Sequence, residues 1–442
     1  MREGRLALRE SGNLLSVLGV GFGLAGAVGG TIGAGILRTP GLVAQQLPST
    51  GLILAVWALG GLYALLGAIC VAELASCLPR AGGWYVYAEK AFGERAGFLV
   101  GWSDWIAHCI GLAWIVTTLG DYLSALIPFS SAVIALVILA LFTAIQWPGV
   151  RSGGTSQELL SLIKALAFLG LVVACFALPL PQRVESAANF IAPGTPLLVP
   201  WVIALQAVIT TYDGWACPIY FAEEFSEPAK TLPRSLIGGV LAVAALYLLI
   251  NGALLHVLPV PVLAESNLPA ADAARLLVGA NGGSVITAVA LIALLGVTNT
   301  VVMAAPRILY GLGRDGLMPS FTAQVNSGGT PVPALLITVG LSALLVLGGS
   351  FDRLLGMGAF LYVSLPLSGL VALVTLRRNQ ADLERPFRCW LYPATPLLVG
   401  AISLAFLVAA LWSDSVNSLL ALALVLFGGL VSEAGRRLSP AA

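Results

Sequence analysis

The chain has 442 residues, of which 58% are hydrophobic and 10% are charged, and its formal net charge is +1. An ordinary soluble domain carries about 25% charged residues, so this composition excludes a soluble globule. We expect a polytopic membrane protein in contact with lipid, with no nucleic-acid partner and no cofactor.

Apolar runs of about 18 residues or more, the length needed to cross a bilayer, recur along the whole chain. They predict an all-α integral membrane fold with about twelve transmembrane helices, and one transmembrane domain over residues 1–442. The predicted spans are approximately 14–46, 51–78, 97–127, 132–149, 157–179, 199–225, 235–258, 283–311, 333–349, 354–376, 394–412 and 417–434.

Basic residues predict the orientation, because Lys and Arg in short loops stay on the cytoplasmic side. With both termini inside, only Arg183, Arg275 and Arg353 among the loop residues lie outside. The asymmetry supports an even number of spans and two cytoplasmic termini. We expect a multi-pass plasma-membrane protein, in a bacterium the inner membrane. The six cysteines lie in spans or a cytoplasmic loop, which does not suggest a disulfide framework.

Two predicted spans contain glycine-rich stretches that interrupt a helix, VGGTIGAGIL at 28–37 and TTYDGW at 210–215. In hydrocarbon an unpaired backbone group costs several kcal/mol, so non-helical chain survives at membrane depth only where it lines a cavity or holds a ligand. Glycine can also serve close helix packing, but five glycines between positions 26 and 35 are too dense for packing alone. The two breaks therefore predict a binding site.

The broken spans are the first and the sixth, so each half of the protein is predicted to hold five helices. An odd number of helices per repeat places the second copy upside down, with a substrate site between the broken helices near the membrane midplane. We predict repeat one over about 14–179, repeat two over about 199–376, and two extra helices over about 394–434.

Four motifs occur in order along the chain: GAGI at 33–36, AEL at 72–74 with PRAGGWYVY at 79–87, YDGW at 212–215 with EE at 223–224, and APRILY at 305–310 with RDG at 314–316. They resemble the signatures of the amino acid-polyamine-organocation (APC) transporters, particularly the branch near the L-type amino acid transporters. The resemblance implies a leucine-transporter-type fold of five plus five inverted helices and a secondary active transporter of amino acids that works by alternating access.

An α-amino acid presents a carboxylate and an ammonium group, so its site needs free backbone donors beside free acceptors. The first amides of the second half of span one favour an anion, whereas the carbonyls that end the first half are expected to accept from the ammonium. The resemblance assigns the same stretch to the carboxylate. The candidate substrate-binding residues are Ile32, Gly33, Ala34, Gly35, Thr210, Thr211, Tyr212 and Asp213.

Asp213 lies within the second break, where a carboxylate is expensive unless it is solvated or paired. It either pairs with a cationic substrate, as the resemblance implies for some relatives, or caps the second half of helix six. Tyr212 and Trp215 are candidates to line or gate the pocket, with a place in the core or against lipid as the alternative.

Lys164 lies about two turns into span five. It either snorkels to the inner interface or stands beside the first break and the eighth span, near Thr298 and Asn299. In related folds that second location corresponds to a sodium site, so an ammonium there implies sodium-independent transport. Burial disfavours the charged form of a lysine. Proton coupling or exchange follows as a hypothesis, with Lys164, Thr298 and Asn299 as coupling residues.

The candidate gating residues are Arg38, Glu73, Trp215, Glu223 and Glu224. The three acids are expected to pair with Arg80, Arg234 or Arg307 as an inner gate, and Arg38 to pair with an outer acid or to snorkel. Asp104 and His108 share a helix face, and we expect an intrahelical pair, with a proton relay as the alternative.

The sequence also bears on three alternative functions. An enzyme has no support, because the chain has only two histidines and no metal-binding motif. A channel would need a ring of ligands built by oligomerisation. A polyamine or other organocation carrier of the same fold stays open. No heavy-chain subunit is expected, because the external joint 127–131 contains no cysteine.

Overall fold

The computed structural model describes residues 14–179, 198–348 and 351–438, and these residues are almost entirely helical. The α-helices are α1 (Val20–Thr31), α2 (Gly35–Gln46), α3 (Thr50–Cys77), α4 (Trp84–Phe92), α5 (Glu94–Ser124), α6 (Ser131–Gln146), α7 (Val150–Ala177), α8 (Leu198–Thr211), α9 (Pro228–Val257), α10 (Val260–Glu265), α11 (Pro269–Val278), α12 (Gly282–Arg314), α13 (Val332–Gly348), α14 (Phe351–Asn379), α15 (Ala394–Ser413) and α16 (Ser415–Leu438). Two 3-10 helices cover Cys217–Glu224 and Ser320–Ala323.

The apolar runs in the sequence coincide with these helices, which confirms the all-helical membrane fold. In the described part of the chain, 7 helices are long and apolar enough to cross a membrane, and the α1–α2 pair, bent by 49°, makes an eighth span. Shorter apolar helices, α6, α8, α13 and α16, complete a set of about twelve spans. The termini and Arg183 lie outside the described residues.

Three helices occupy stretches where the sequence predicted only joints. Helix α4 follows the PRAGGW motif, and α10 and α11 fill the connection between α9 and α12. They are short, and α4 and α11 are amphipathic, so a search for long apolar runs passes over them.

Helix α5 runs through the middle of the bundle and packs against α4, α6, α12, α13, α14 and α16. Helix α1 packs between α7, α9 and α12, while α2 packs against α8, α10 and α11. The outward face of α7 exposes large apolar side chains such as Leu162, Leu166 and Val173, as a lipid-facing helix does. Because α1 and α2 each pack against three other helices, the two halves of the first span lie inside the bundle.

One end of the bundle carries residues 14–19, and we call it the amino-terminal face. There Leu18 pairs with Phe225 in an isolated parallel bridge, and the backbone N–H groups of Val17 and Leu18 donate to the carbonyl of Glu224 at 2.9 and 2.7 Å. Arg80 and Asp315 form an ion pair at 2.5 Å at the same face. Backbone pairing and charged side chains therefore connect separate elements at this face.

Candidate functional site

The first break separates α1 from α2 by three residues. Ile32 has an extended backbone conformation, with φ −76° and ψ 93°, and its N–H donates to the carbonyl of Val28 at 3.0 Å. Helix α2 then begins at Gly35, with Ala34 at the N-cap position and no side chain accepting from its first amides. Gly35 is exposed. The start of α2 therefore offers uncapped amides and the positive end of a helix dipole.

The second break follows α8, which ends at Thr211. Gly214 has a φ of +103°, a left-handed conformation that side-chain-bearing residues rarely adopt. The chain then continues as the 3-10 helix Cys217–Glu224, whose N-cap is Ala216 and has no side-chain cap. Asp213 therefore does not cap this helix, which removes one of the two interpretations of that residue.

The two breaks touch each other through their backbones. A Cβ atom built on Gly214 would lie 2.4 Å from the carbonyl oxygen of Gly30, so neither position has room for a side chain. The hydroxyl of Tyr247 on α9 lies 3.0 Å from the carbonyl oxygen of Thr31 and 3.2 Å from that of Thr211. One phenol therefore links the ends of both half-helices.

A cavity of about 280 Å³ lies at the breaks. Its volume is close to the lower end of the range for small-molecule sites, roughly 300–1,000 Å³. Most of the predicted substrate-binding residues line it, namely Gly33, Ala34, Gly35, Thr210, Thr211, Tyr212 and Asp213. Ile32 does not line it and is buried against the protein.

Lys164 is fully buried on α7 and stands behind the first break, outside the cavity lining. Its Nζ donates to the carbonyl oxygens of Gly29 and Ile32, both at 2.8 Å. A Cβ atom on Gly296 of α12 would lie 2.9 Å from the Lys164 amine, so this glycine makes room for it. The amine thus occupies the space between the first break, α7 and α12, and does not snorkel to an interface.

The other two predicted coupling residues are buried on α12 but make no hydrogen bond to Lys164. Thr298 donates to the carbonyl of Leu294 in its own helix at 2.9 Å. Asn299 donates to Gln157 at 2.8 Å and accepts from Gln146 at 2.7 Å. Asn299 therefore connects α12 to α7 by a hydrogen bond near Lys164.

A second polar group faces the cavity from α5. The Nδ1 atom of His108 lies 2.8 Å from the main-chain oxygen and 3.1 Å from Oδ1 of Asp104, and the hydroxyl of Tyr220 donates to the same Oδ1 at 3.0 Å. This is the intrahelical pair expected from the sequence. His108 lines the cavity together with Asp213. None of the cations in the described residues forms an ion pair with the half-buried Asp213.

The aromatic residues of the second break both line the cavity. Tyr212 is buried, and its hydroxyl donates to the carbonyl of Trp57 at 3.2 Å. Trp215 packs edge to face on Trp84, with ring centroids 6.5 Å apart. Neither ring lies against lipid.

The predicted gating acids lie at or near the amino-terminal face, but Glu73 has other partners than expected. It accepts from Arg377 at 2.7 and 2.5 Å and lies 3.2 Å from Arg385, and it contacts neither Arg80 nor Arg234. Sequence spacing could not reveal this pair, because 304 residues separate Glu73 from Arg377.

The two glutamates of the 3-10 helix pair with α12. Glu224 and Arg307 form a buried two-point pair at 2.5 and 2.9 Å, as expected. Glu223 instead pairs at 2.5 Å with Arg314, which is not one of the predicted arginines, because the end of α12 brings Arg314 against the 3-10 helix. Arg38 at the opposite end is exposed, and no described acid forms an ion pair with it.

Sequence reasoning missed three residues that hold the breaks. Tyr247 bridges them, Tyr220 ties the 3-10 helix to Asp104, and Ser161 donates to the carbonyl of Ala25 in α1 at 2.8 Å. Each lies in an ordinary apolar run, so no local signal distinguishes it from a packing residue.

Comparison with known proteins identifies the family of the chain. Residues 13–430 match the model of a family described as amino acid permease. The chain is 29% identical to the serine/threonine exchanger SteT of Bacillus subtilis, over 95% of this chain and 96% of the relative. It is 30% identical to the human large neutral amino acids transporter small subunit 2, over 96% and 80% of the two chains. It is also 29% identical to the human Asc-type amino acid transporter 1, over 91% and 78%.

Proposed function

The chain belongs to the amino acid permease family and is an amino-acid transporter rather than an enzyme, and we propose that it exchanges amino acids across the membrane without sodium. The observation that carries the proposal is the position of the Lys164 amine, which donates to the carbonyls of Gly29 and Ile32 at the first break. These two oxygens are the kind of ligand that a hard cation takes. Since the ammonium already holds them, transport has no need of a sodium ion there.

We place the substrate in the 280 Å³ cavity with its carboxylate on the amides at the start of α2, from Gly33 to Gly35. These amides carry no side-chain cap, and the helix dipole favours an anion at this end. The ammonium lies toward the carbonyls that end α1 and α8. Lys164 already donates to the carbonyl of Ile32, and Tyr247 to that of Thr31. The substrate ammonium therefore either shares these acceptors or replaces one of the two donors.

The side chain of the substrate faces the wall formed by Asp213 and His108. Because Asp213 is half-buried and has no cationic partner among the described residues, a substrate group that donates hydrogen bonds lowers the cost of its burial. We propose that amino acids with a hydroxyl or cationic side chain bind best. The name of the Bacillus subtilis relative, a serine/threonine exchanger, agrees with the first of these classes.

Proton-coupled uptake is the second candidate, and one observation favours it. Lys164 has no carboxylate partner in the described part of the chain, and a buried ammonium held only by carbonyls is costly. Release of its proton as the cavity opens would couple uptake to a proton gradient. The name of the first relative, which says exchanger, supports exchange as the first candidate.

We propose that the chain is one transmembrane domain of two inverted repeats, about 14–179 and 199–376, followed by two more helices over about 394–434. The contact between Gly30, in the last turn of α1 before the first break, and Gly214 in the second break supports the pairing of the two halves. Alternating access then moves the two broken helices around a substrate held between them.

We also propose that the amino-terminal face is cytoplasmic. Arg80, in the short joint between α3 and α4, and Arg314, at the last residue of α12, lie at this face together with residues 14–19, and basic residues in or beside short loops favour the cytoplasmic side. The host membrane would be a bacterial inner membrane. The human relative is named a small subunit, whereas joint 127–131 of this chain has no cysteine for a disulfide to a partner, and we propose that the chain works alone.

The test uses the purified chain in sodium-free proteoliposomes loaded with unlabelled amino acids. Lys164→Met keeps an unbranched apolar stem but removes the amine, which leaves two carbonyls unsatisfied and is expected to lower exchange about tenfold or more. Lys230→Met is the matched control, because Lys230 is exposed and its partner Glu227 is exposed too. Equal exchange by Lys164→Met and the control would overturn the role of the amine.

An inward proton gradient applied to empty proteoliposomes separates the two candidates. Uptake into empty vesicles that follows the gradient, and is lost in Lys164→Met, would favour proton coupling over exchange. Uptake that depends on external sodium would contradict both.

A further inference from the structure

Two cysteines that are far apart in sequence lie in contact near the amino-terminal face. The Sγ atoms of Cys70 on α3 and Cys389 in the segment between α14 and α15 are 3.5 Å apart. Both are free thiols, and both side chains are buried, with exposed fractions of 0% and 5%. Formation of a disulfide, with its bond of about 2.05 Å, requires the two sulfurs to approach by about 1.5 Å.

An ion cluster around Glu73 fixes the position of the backbone on both sides of the cysteine pair. Glu73, one turn after Cys70, binds Arg377 and lies 3.2 Å from Arg385. The backbone N–H of Cys389 itself donates to Glu73 at 2.6 Å. Glu73 therefore holds the chain at Cys389 directly against α3, next to Cys70.

The two thiols differ in chemical environment. Cys389 lies outside the spans, next to Trp390, whose side chain is 54% exposed. The hydrogen bond with Cys70 and, to a smaller extent, the positive charge of Arg377 lower the pKa of the Cys389 thiol, against the opposing effects of burial and of the Glu73 carboxylate. A thiolate is the reactive form of cysteine, so Cys389 is the nucleophile of the pair and Cys70 the resolving thiol.

We propose that Cys70 and Cys389 form a redox modification site that closes to a disulfide when a peroxide reaches it. The Cys389 thiolate attacks one peroxide oxygen, the O–O bond breaks, and a sulfenic acid forms while hydroxide leaves and takes a proton to become water. The Cys70 thiol then attacks the sulfenic sulfur, loses its proton, and expels a second water as the S–S bond forms. One peroxide and two thiols give one disulfide and two waters.

The disulfide would lock one wall of the cavity. Gly67 and Val71, which flank Cys70 on α3, line the cavity, as does Val399 on α15. Tyr63 on α3 also bonds Ser403 on α15 at 2.7 Å. A covalent link from α3 to the segment that leads into α15 would hold these helices in one arrangement. This consequence rests on the proposed transport function, because only a carrier needs that wall to move.

The test has two readouts on the full chain in proteoliposomes. After treatment with hydrogen peroxide, free thiols are alkylated and the digested protein is searched by mass spectrometry for a peptide linked through Cys70 and Cys389. Amino-acid uptake is measured on the same sample before oxidation, after oxidation and after dithiothreitol. The variants are Cys70→Ser and Cys389→Ser, and Cys175→Ser is the matched control, since Cys175 is a buried free thiol on α7.

The wild type and Cys175→Ser are expected to form the link and to lose uptake about tenfold, with recovery in dithiothreitol, whereas the other two variants keep their uptake. Absence of the linked peptide, or a link from Cys77 instead of Cys70, overturns the modification site. A complete disulfide link with unchanged uptake overturns the claim that the disulfide restrains the cavity wall. Uptake that is absent before oxidation contradicts the proposed function instead, and the mass spectrum still decides the modification site.

Discussion

The carbonyl oxygen of Gly30 in α1 faces the backbone of Gly214 in the second break so closely that a Cβ atom on Gly214 would approach it to 2.4 Å. The two broken helices therefore meet without any side chain between them. Because Gly214 also has a φ of +103°, the contact depends on glycine for conformation and for space. This backbone contact, together with the Tyr247 bridge, positions the two breaks that line the cavity.

Replacement of Gly214 by alanine is expected to abolish most transport while the bundle still folds. A left-handed conformation costs a non-glycine residue about 1–2 kcal/mol, and the added methyl group must also push the breaks apart. Transport and thermal unfolding of Gly214→Ala can be compared with Gly252→Ala, because a Cβ at Gly252 meets no atom within 4 Å. Normal transport by Gly214→Ala would show that the breaks need not touch.

Removal of the Tyr247 hydroxyl is expected to weaken substrate binding. In Tyr247→Phe the carbonyls of Thr31 and Thr211 lose their shared donor, although the Thr31 carbonyl still accepts from the N–H of Gly33 at 2.9 Å, and the loss of one hydrogen bond costs about 0.5–1.5 kcal/mol. We expect a severalfold rise in KM for exchange, with Tyr122→Phe, a change at a partly exposed tyrosine, as the control. An unchanged KM would mean that the Tyr247 hydroxyl does not order the ends of the half-helices.

The sequence predicted the membrane fold and the two breaks because both depend on local composition. Long apolar runs determine where helices can cross lipid, and dense glycines between Gly26 and Gly35 determine where a helix can open. The partners of Glu73 and the bridge made by Tyr247 depend on tertiary packing between residues far apart in the chain. The interpretation of Asp213 as a helix cap failed because the 3-10 helix begins three residues later than a cap there would require.

Substitution of Asp213 by asparagine is expected to change substrate preference more than total transport. Asparagine keeps the size of the side chain but removes its charge. A hydrogen bond to a charged group is worth about 1.5–3 kcal/mol, so the preference for threonine or lysine over valine should fall by about tenfold or more. The ratio of kcat/KM values for labelled threonine, lysine and valine measures this preference. An unaltered ratio would assign Asp213 to structure and not to selectivity.

Disruption of the Glu224–Arg307 pair is expected to destabilise the protein strongly. Their side chains are only 0% and 3% exposed, and removal of one partner from a buried pair leaves a charge that costs about 3–5 kcal/mol. Arg307→Met should lower the thermal unfolding temperature, and the double variant with Glu224→Gln should recover part of the loss. The exposed pair Lys230–Glu227 provides the comparison, with little effect expected from Lys230→Met. A double variant less stable than Arg307→Met would contradict this view of the pair.

Counterflow measures the central claim most directly. Proteoliposomes with the full chain are loaded with unlabelled amino acids or left empty, and uptake of labelled serine and threonine is followed in sodium-free buffer. We predict rapid uptake into loaded vesicles, little uptake into empty ones, and no effect of added sodium. Uptake that requires sodium, or that is equal in loaded and empty vesicles, would contradict exchange through a site whose cation position is held by Lys164.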